Sequence, residues 1–278
     1  RCAVFLTRPH GGSRLYRNLG GWKFEDITST AGVGCRGLTG TGATFADVDA
    51  DGDVAEPRLR MGDPLHARPA TVIYGGTSAA PDANDGVVYV ATNEGILQAV
   101  DVVTGNELWS FVPDTTWQSV IQVLDDTATS TKLSTLDGSL AVLRIDVDFN
   151  GVIEPADGDK VYIYFGQRRG GSNYFALDVT NKASPVFLWK ANADTLPRIG
   201  ETWSTPQVTK VQVAGSSQSA GNDVLIFGGG YSAGQDTAND GTTAYTTDAV
   251  GNGLYIVDAV TGSLLWRAGG TGSGATLE

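Results

Sequence analysis

Asp101-Val-Val-Thr-Gly-Asn-Glu-Leu-Trp109 and Asp258-Ala-Val-Thr-Gly-Ser-Leu-Leu-Trp266 agree at six of nine positions, and a longer version of the same phrase runs from Asp178 to Leu188-Trp189. Glycine in the Thr-Gly step supplies the positive φ that a tight hairpin turn demands, and the Asp ahead of it can accept hydrogen bonds from the turn amides. Strand-like runs precede each phrase: Val87 to Ala91 with Ile96 to Val100, Val161 to Phe165 with Tyr174 to Leu177, and Val224 to Phe227 with Leu254 to Val257. A further run opens each unit, at Ala70 to Tyr74, Gly138 to Asp146 and Pro206 to Val213. The spacing therefore predicts three four-stranded meanders, at about 68–113, 138–193 and 203–270.

Four-stranded repeats of this kind are the blades of a β-propeller. One meander cannot bury both its faces, so the blades are expected to stack, with Trp109, Trp189 and Trp266 as core residues. Three blades fall short of the roughly four to eight of a closed ring. Residues 1–57 supply another sheet, or further blades lie on chain beyond this sequence, or another molecule covers the open edges; chain beyond Thr276-Leu-Glu278 is the favoured expectation.

Composition agrees with an all-β chain. Of 278 residues 41% are hydrophobic, enough to fill a core, and 37 glycines point to many turns and few helices. A net charge of -12 argues against binding nucleic acid through its phosphates and suits divalent cations instead. Nothing reaches the roughly 18 consecutive apolar residues of a membrane-spanning helix. The chain opens at Arg1 without a basic-then-apolar leader, so a secretion signal is expected upstream or already removed. Cys2 and Cys35 either form one disulfide in an oxidising compartment or remain two unrelated thiols.

Two carboxylate clusters carry the legible chemistry. Asp146-Val-Asp148-Phe-Asn150-Gly151-Val152-Ile153-Glu154-Pro-Ala-Asp157 places side-chain oxygens at positions 1, 3, 5, 9 and 12 of a twelve-residue loop with glycine at 6, which is calcium-loop spacing. The Val152 carbonyl would complete the oxygen shell, and Ile153 would anchor the loop to the core. Asp157 stands where such loops commonly use a bidentate Glu, so the last ligand is either Asp157 or Glu154. The plain alternative is a surface turn whose carboxylates are satisfied by its own amides. Asp47-Val-Asp49-Ala-Asp51-Gly52-Asp53 begins with the same alternation but has Ala55 and Arg58 at positions 9 and 12. Its crowded carboxylates call for a cation among them, with Glu56 as a substitute ligand.

The segment Arg14-Leu-Tyr-Arg-Asn-Leu-Gly-Gly-Trp-Lys-Phe-Glu-Asp-Ile-Thr28, with Ala31-Gly-Val-Gly34 and Phe45-Ala-Asp-Val-Asp-Ala-Asp-Gly-Asp53, resembles FG-GAP or VCBS repeats, near their ASPIC/UnbV-like variant, over residues 10–54. That likeness implies a calcium-binding propeller segment at 1–57. From about 61 to 270 the chain resembles the C-terminal propeller of the PilY family of type IV pilus biogenesis factors and tip adhesins. The residues that carry this are Gly62-Asp-Pro-Leu-His-Ala-Arg-Pro69, Tyr89-Val-Ala-Thr-Asn-Glu-Gly95, Tyr164-Phe-Gly-Gln-Arg-Arg-Gly-Gly-Ser-Asn-Tyr174, Thr202-Trp-Ser-Thr-Pro206 and Ile226-Phe-Gly-Gly-Gly-Tyr231. The resemblance implies a quinoprotein-like propeller at 58–278. It also implies a Ca2+ loop at Asp146, Asp148, Asn150, Val152 and Glu154, with calcium linked to pilus extension and retraction and to surface attachment.

The expected function is therefore a calcium-binding, extracellular or cell-surface module, exported through the periplasm, that works with pilus subunits or minor pilins and with a host or abiotic surface. Two alternatives stand beside it: a quinone-dependent dehydrogenase, and a filament subunit forming homo-oligomers through open blade edges. Catalysis is not expected, because His10 and His66 lie far apart and neither sits in a familiar nucleophile setting. Arg168-Arg169-Gly170-Gly171 reads as a turn pairing with nearby acids, with an anionic partner as the alternative. The acids Asp236, Asp240 and Asp248 read as a solvated loop.

Overall fold

The computed structural model describes residues 62–120, 134–213, 220–236 and 248–269 in full, and by backbone alone the strands 3–6, 14–20, 23–26 and 42–45 and the helix ends 121–124 and 237–238. Three four-stranded antiparallel meanders account for most of it, close to the predicted ranges. The first comprises β5 (Ala70–Ile73), β6 (Gly86–Thr92), β7 (Ile96–Asp101) and β8 (Glu107–Pro113); the second β9 (Ala141–Ile145), β10 (Lys160–Gly166), β11 (Tyr174–Asp178) and β12 (Val186–Ala191); the third β13 (Gln207–Val211), β14 (Asn222–Gly228), β15 (Leu254–Asp258) and β16 (Leu264–Ala268). Short helices α1 (Trp117–Leu124) and α2 (Gly234–Ala238) interrupt them. Before the meanders, β1 (Ala3–Leu6), β2 (Arg14–Gly20) and β3 (Lys23–Asp26) form a separate sheet, and β4 (Gly42–Phe45) pairs with β8 as a fifth strand of the first meander. The architecture is that of β-propeller blades.

The central blade shows why the strands read as they do. Lys-Val-Tyr-Ile-Tyr-Phe-Gly of β10 is buried from its second residue onward. Alternate side chains of a strand point to opposite faces. Val161, Ile163 and Phe165 enter a core shared with Tyr89, Leu97, Trp109 and Phe111 of the first blade. Tyr162 and Tyr164 enter a second core with Leu225, Phe227 and Tyr255 of the third. Along β11 the same division sends Phe175 and Leu177 one way and Tyr174 and Ala176 the other. An unbroken apolar run is what a strand covered on both faces requires.

The Leu-Trp phrase has a local cause as well. In each blade the register shifts beside the tryptophan: Ala99 faces Trp109 and Val100 faces Glu107, Ala176 faces Trp189 and Leu177 faces Phe187, and Ile256 faces Trp266 and Val257 faces Leu264. Leu108, Leu188 and Leu265 are thus the extra residues of three equivalent β-bulges, and the first and last of them are exposed. The bulge aims each tryptophan off its own sheet. Trp109 Nε1 donates to the Lys182 carbonyl of the second blade at 2.8 Å, and Trp189 Nε1 to the Ala259 carbonyl of the third at 3.1 Å. A Cβ at Gly262 would come within 2.7 Å of the Trp189 ring, so glycine there serves both the turn, at φ 71°, and the docking indole.

Trp266 corrects the expectation that all three tryptophans are core. It is 38% exposed, against 5% for Trp109 and 7% for Trp189. The reason is positional: burial of this indole comes from the following blade, and none lies against the third blade among the described residues.

The Asp-x-x-Thr-Gly turns form as the side-chain chemistry predicts. Asp101 Oδ1 accepts from the Val103 and Thr104 amides and the Thr104 hydroxyl at 3.1, 2.8 and 2.9 Å. Asp258 Oδ1 repeats the set with Val260 and Thr261 at 3.0, 2.8 and 3.0 Å. Hydrogen bonds from the Thr104 amide and hydroxyl, then the Val103 amide, hold the Asp101 carboxyl below the usual carboxylate range.

Two outcomes follow. Truncating a buried tryptophan removes roughly 3–5 kcal/mol, so Trp109→Ala and Trp189→Ala should each fall in that range in denaturant unfolding, while Trp266→Ala should cost far less; equal losses at all three positions would contradict the inter-blade role. Because the folded-state pKa of Asp101 is depressed, its contribution is present above the unfolded value near about 4 and is lost as pH falls through the folded value. Asp101→Asn should therefore lower the melting temperature at pH 7, with the gap to wild type closing as the pH is taken well below 4.

Candidate metal centre

The loop between β9 and β10 folds around its own carboxylates. Asp146 leaves β9 and accepts the Gly151 amide on Oδ2 at 2.9 Å, with Arg144 Nη2 3.8 Å from the same oxygen. Its other oxygen, Oδ1, is buried and receives no hydrogen bond from the described residues. Asp148 is exposed and takes the Asn150 amide on Oδ1 at 3.2 Å. Asn150 Nδ2 donates to Asp148 Oδ2 at 2.9 Å and to Glu154 Oε2 at 2.7 Å, while its Oδ1 accepts the Val152 amide at 2.7 Å. Positive partial charge thus already sits between two carboxylates at the centre of the loop.

Past Glu154, the single 3-10 turn Pro155–Asp157 ends at Gly158 in the left-handed region, φ 96°, and reverses the chain. That reversal brings in Asp159, a residue the loop template passed over because its spacing ends at position 12. Asp159 is 1% exposed; Oδ1 accepts the Val147 amide at 2.8 Å and Oδ2 the Glu154 amide at 2.9 Å. These bonds, from Glu154 first and then Val147, with a smaller contribution from Arg144, hold its carboxyl below the ordinary range. The signal that could have found it is the Asp157-Gly158-Asp159 step, a turn followed by a carboxylate pointing back at the loop.

One oxygen each from Asp146, Asp148 and Asp159 lie within 4.8 Å of one another, and so do one each from Asp148, Glu154 and Asp157. Asp148 belongs to both triads. The structure therefore gathers Asp146, Asp148, Asn150, Glu154 and Asp157 and adds Asp159. Val152 is half-buried. Ile153 is buried in the core between the first two blades, where its amide donates to the Tyr74 carbonyl at 2.8 Å, as an anchor should. An all-oxygen donor set with a buried, unsatisfied carboxylate oxygen fits a hard divalent cation.

Other expected features divide. Asp47, Asp49, Asp51 and Asp53 lie outside the described residues, as do Cys2, Cys35, His10, Glu56 and Asp240. Arg168 Nη1 lies 3.3 Å from Asp137 Oδ2 and its guanidinium 4.4 Å from the Trp203 ring centroid, and Arg169 lies 3.8 Å from Asp236, so this turn does pair with acids. His66 Nδ1 lies 2.8 Å from Asp137 Oδ2. Asp236 and Asp248 accept from Tyr231 and Gln235 at 2.7 and 2.6 Å.

The chain is similar in sequence to known proteins across its blades. A family model described as outer membrane protein assembly factor BamB matches residues 70–181, which is the first blade and the second through β11. The type IV pilus biogenesis factor PilY1 homolog of Xylella fastidiosa is 29% identical over 166 residues, covering 57% of this chain and 13% of that protein. Type IV pilus biogenesis factor PilY1 of Pseudomonas aeruginosa is 26% identical over 198 residues, covering 64% of this chain and 16% of its own length. The chain thus spans about a sixth or less of the curated relatives it matches. The crystal structure of the Pseudomonas aeruginosa PilY1 C-terminal domain shares 26% identity over 68% of this chain and 31% of that chain, with a TM-score of 0.45. No helix among the described residues is long and apolar enough to cross a membrane. Over its blades the chain is therefore similar in sequence to type IV pilus biogenesis factors of the PilY1 family.

Proposed function

We propose that the chain is a non-catalytic, calcium-binding propeller module of a pilus-associated protein at the cell surface, and that its metal loop tunes pilus extension and retraction or surface attachment. The observation that carries this reading is the convergence of two carboxylate triads on Asp148 beside the unsatisfied Asp146 Oδ1. Asp146, Asp148, Asn150 and Glu154, with the Val152 carbonyl, would hold the ion, and Asp157 closes the exposed side. Calcium, when bound, supplies the positive charge that this acidic loop lacks in its own side chains. The carboxylates otherwise repel one another at short range, opposed by Arg144 and the Asn150 amide. The pilus setting is drawn from the family, whose named members are type IV pilus biogenesis factors.

Calorimetric titration with calcium, with thermal melting at each calcium level, tests the reading. Wild type should bind and gain about 2.7 kcal/mol of stability at a hundredfold excess over Kd, and Asp148→Ala should lose the site; a wild type that neither binds nor gains stability would end the calcium reading. Asp159 orients the loop through two backbone amides, so Asp159→Asn should weaken calcium binding by roughly 10- to 100-fold, the range typical of residues that position metal ligands. An unchanged affinity would show that Asp159 plays no part in shaping the site.

A further inference from the structure

The metal loop does not stand on its own blade alone. Its apex rests on the loop joining β5 to β6 of the first blade. The Ser78 amide donates to the Asn150 carbonyl at 2.9 Å, and Ser78 Oγ donates to the Phe149 carbonyl at 2.8 Å. Four residues on, the Ile153 amide donates to the Tyr74 carbonyl at 2.8 Å. The stretch from Phe149 to Ile153 is thus tied at both ends to residues 74–78 of the neighbouring sheet, and the liganding side chains Asp148, Asn150 and Glu154 lie within or beside it.

Two features show how closely this support meets the apex. Phe149 is a non-glycine residue at φ 61°, a conformation that L-residues disfavour, and its side chain is 81% exposed, so packing does not hold it there. Within the loop the Asn150 amide's bond to Asp148 Oδ1 spans it, and from the first blade the Ser78 hydroxyl donates to its carbonyl. Gly151 sits at φ 92°, and a Cβ there would come within 2.1 Å of the Ser78 nitrogen and 2.4 Å of the Thr77 carbonyl carbon. The glycine that the loop template explains by a sharp bend is therefore required a second time, by the approach of the first blade. The supporting loop is itself closed: Thr77 and Ala80 exchange backbone bonds of 3.0 and 3.1 Å, and the Asp82 amide donates to the Gly75 carbonyl at 3.0 Å.

We propose that Ser78 is a positioning residue of the calcium site, acting across the seam between the first two blades, so that calcium binding and closure of that seam are thermodynamically coupled. The inference rests on the calcium reading above and adds where its effect is transmitted. Linkage makes the coupling reciprocal: whatever factor Ser78 adds to calcium affinity, calcium returns to the bonds between the blades. The seam that receives it also holds the bond from Trp109 to Lys182 and that from the Tyr74 hydroxyl to the Val179 carbonyl, 2.7 Å.

The test uses the whole chain, with calcium chloride as the probe. Ser78→Ala removes the hydroxyl donor and leaves the amide; calorimetry should show calcium binding weakened by about three- to fivefold, the worth of one modest hydrogen bond, and Ser78→Thr should restore it. On wild type, amide exchange at Ser78 and Ile153 should slow at least about tenfold between chelator and saturating calcium, while amides of β14 in the third blade stay unchanged. Calcium binding of equal strength in wild type and Ser78→Ala, with no calcium-dependent protection at Ser78, would overturn the coupling and leave the metal site standing. Absence of calcium binding in wild type would overturn both.

Discussion

The three described blades hang on the burial of both faces of the second. β10 and β11 send alternate side chains into two different cores, one shared with the blade before and one with the blade after. A register slip of one residue would exchange Val161, Ile163 and Phe165 with Tyr162 and Tyr164, setting three apolar side chains where two phenols belong. The three blades therefore specify one another: the second cannot keep its register unless the first and third supply cavities of the right size. Its close packing also explains why polar contacts between blades are so often made by a side chain reaching a neighbour's backbone carbonyl. Tyr74 to Val179, Trp109 to Lys182, Trp189 to Ala259 and Tyr174 to Ser204 all have this form. A carbonyl in a turn has lone pairs that the sheet ladder does not use, and satisfying one from a mostly apolar side chain adds direction to burial without adding a charge.

The repeated phrase combines three devices that could each be mistaken for the whole. Asp and Thr build the turn, the leucine is the bulge, and the tryptophan is the tether to the next blade. Opposite Trp109 and Trp189 stand Ala99 and Ala176, small residues that leave room for an indole to lean away from its own sheet; opposite Trp266 stands Ile256. The third copy thus keeps the phrase but changes the residue beneath it, and its indole is the one left partly in solvent.

How much of this could be read without coordinates follows from the range of each interaction. The strands and turns were legible because their causes are local: alternation over five to seven residues, a glycine at positive φ, an Asp three residues before the Thr whose amide it binds. The loop acids from Asp146 to Asp157 were legible for the same reason. The exposure of Trp266 was not, because burial of a tether is a property of the neighbouring blade and the phrase is identical in form whether or not that neighbour is present. Asp159 fell outside a spacing template that assumes one continuous curve, whereas the chain reverses at Gly158 and returns. Ser78 was beyond reach of any local pattern, since it meets Phe149 across 71 residues of sequence.

That long-range support bears on why an acidic loop sits at a seam at all. A loop that gathers Asp146, Asp148 and Asp159 in one triad and Asp148, Glu154 and Asp157 in another satisfies some of these oxygens with its own amides, yet each carboxylate raises the cost of gathering the next. Anchoring its apex to Ser78 and its exit to Tyr74 transfers part of that cost to the first blade, where the neutral amide and hydroxyl of Ser78 hold the carbonyls of Asn150 and Phe149. The same arrangement makes the loop sensitive to the distance between blades. A loop built wholly within one hairpin would depend on its own blade alone; one braced across a seam depends also on how the first two blades are held together.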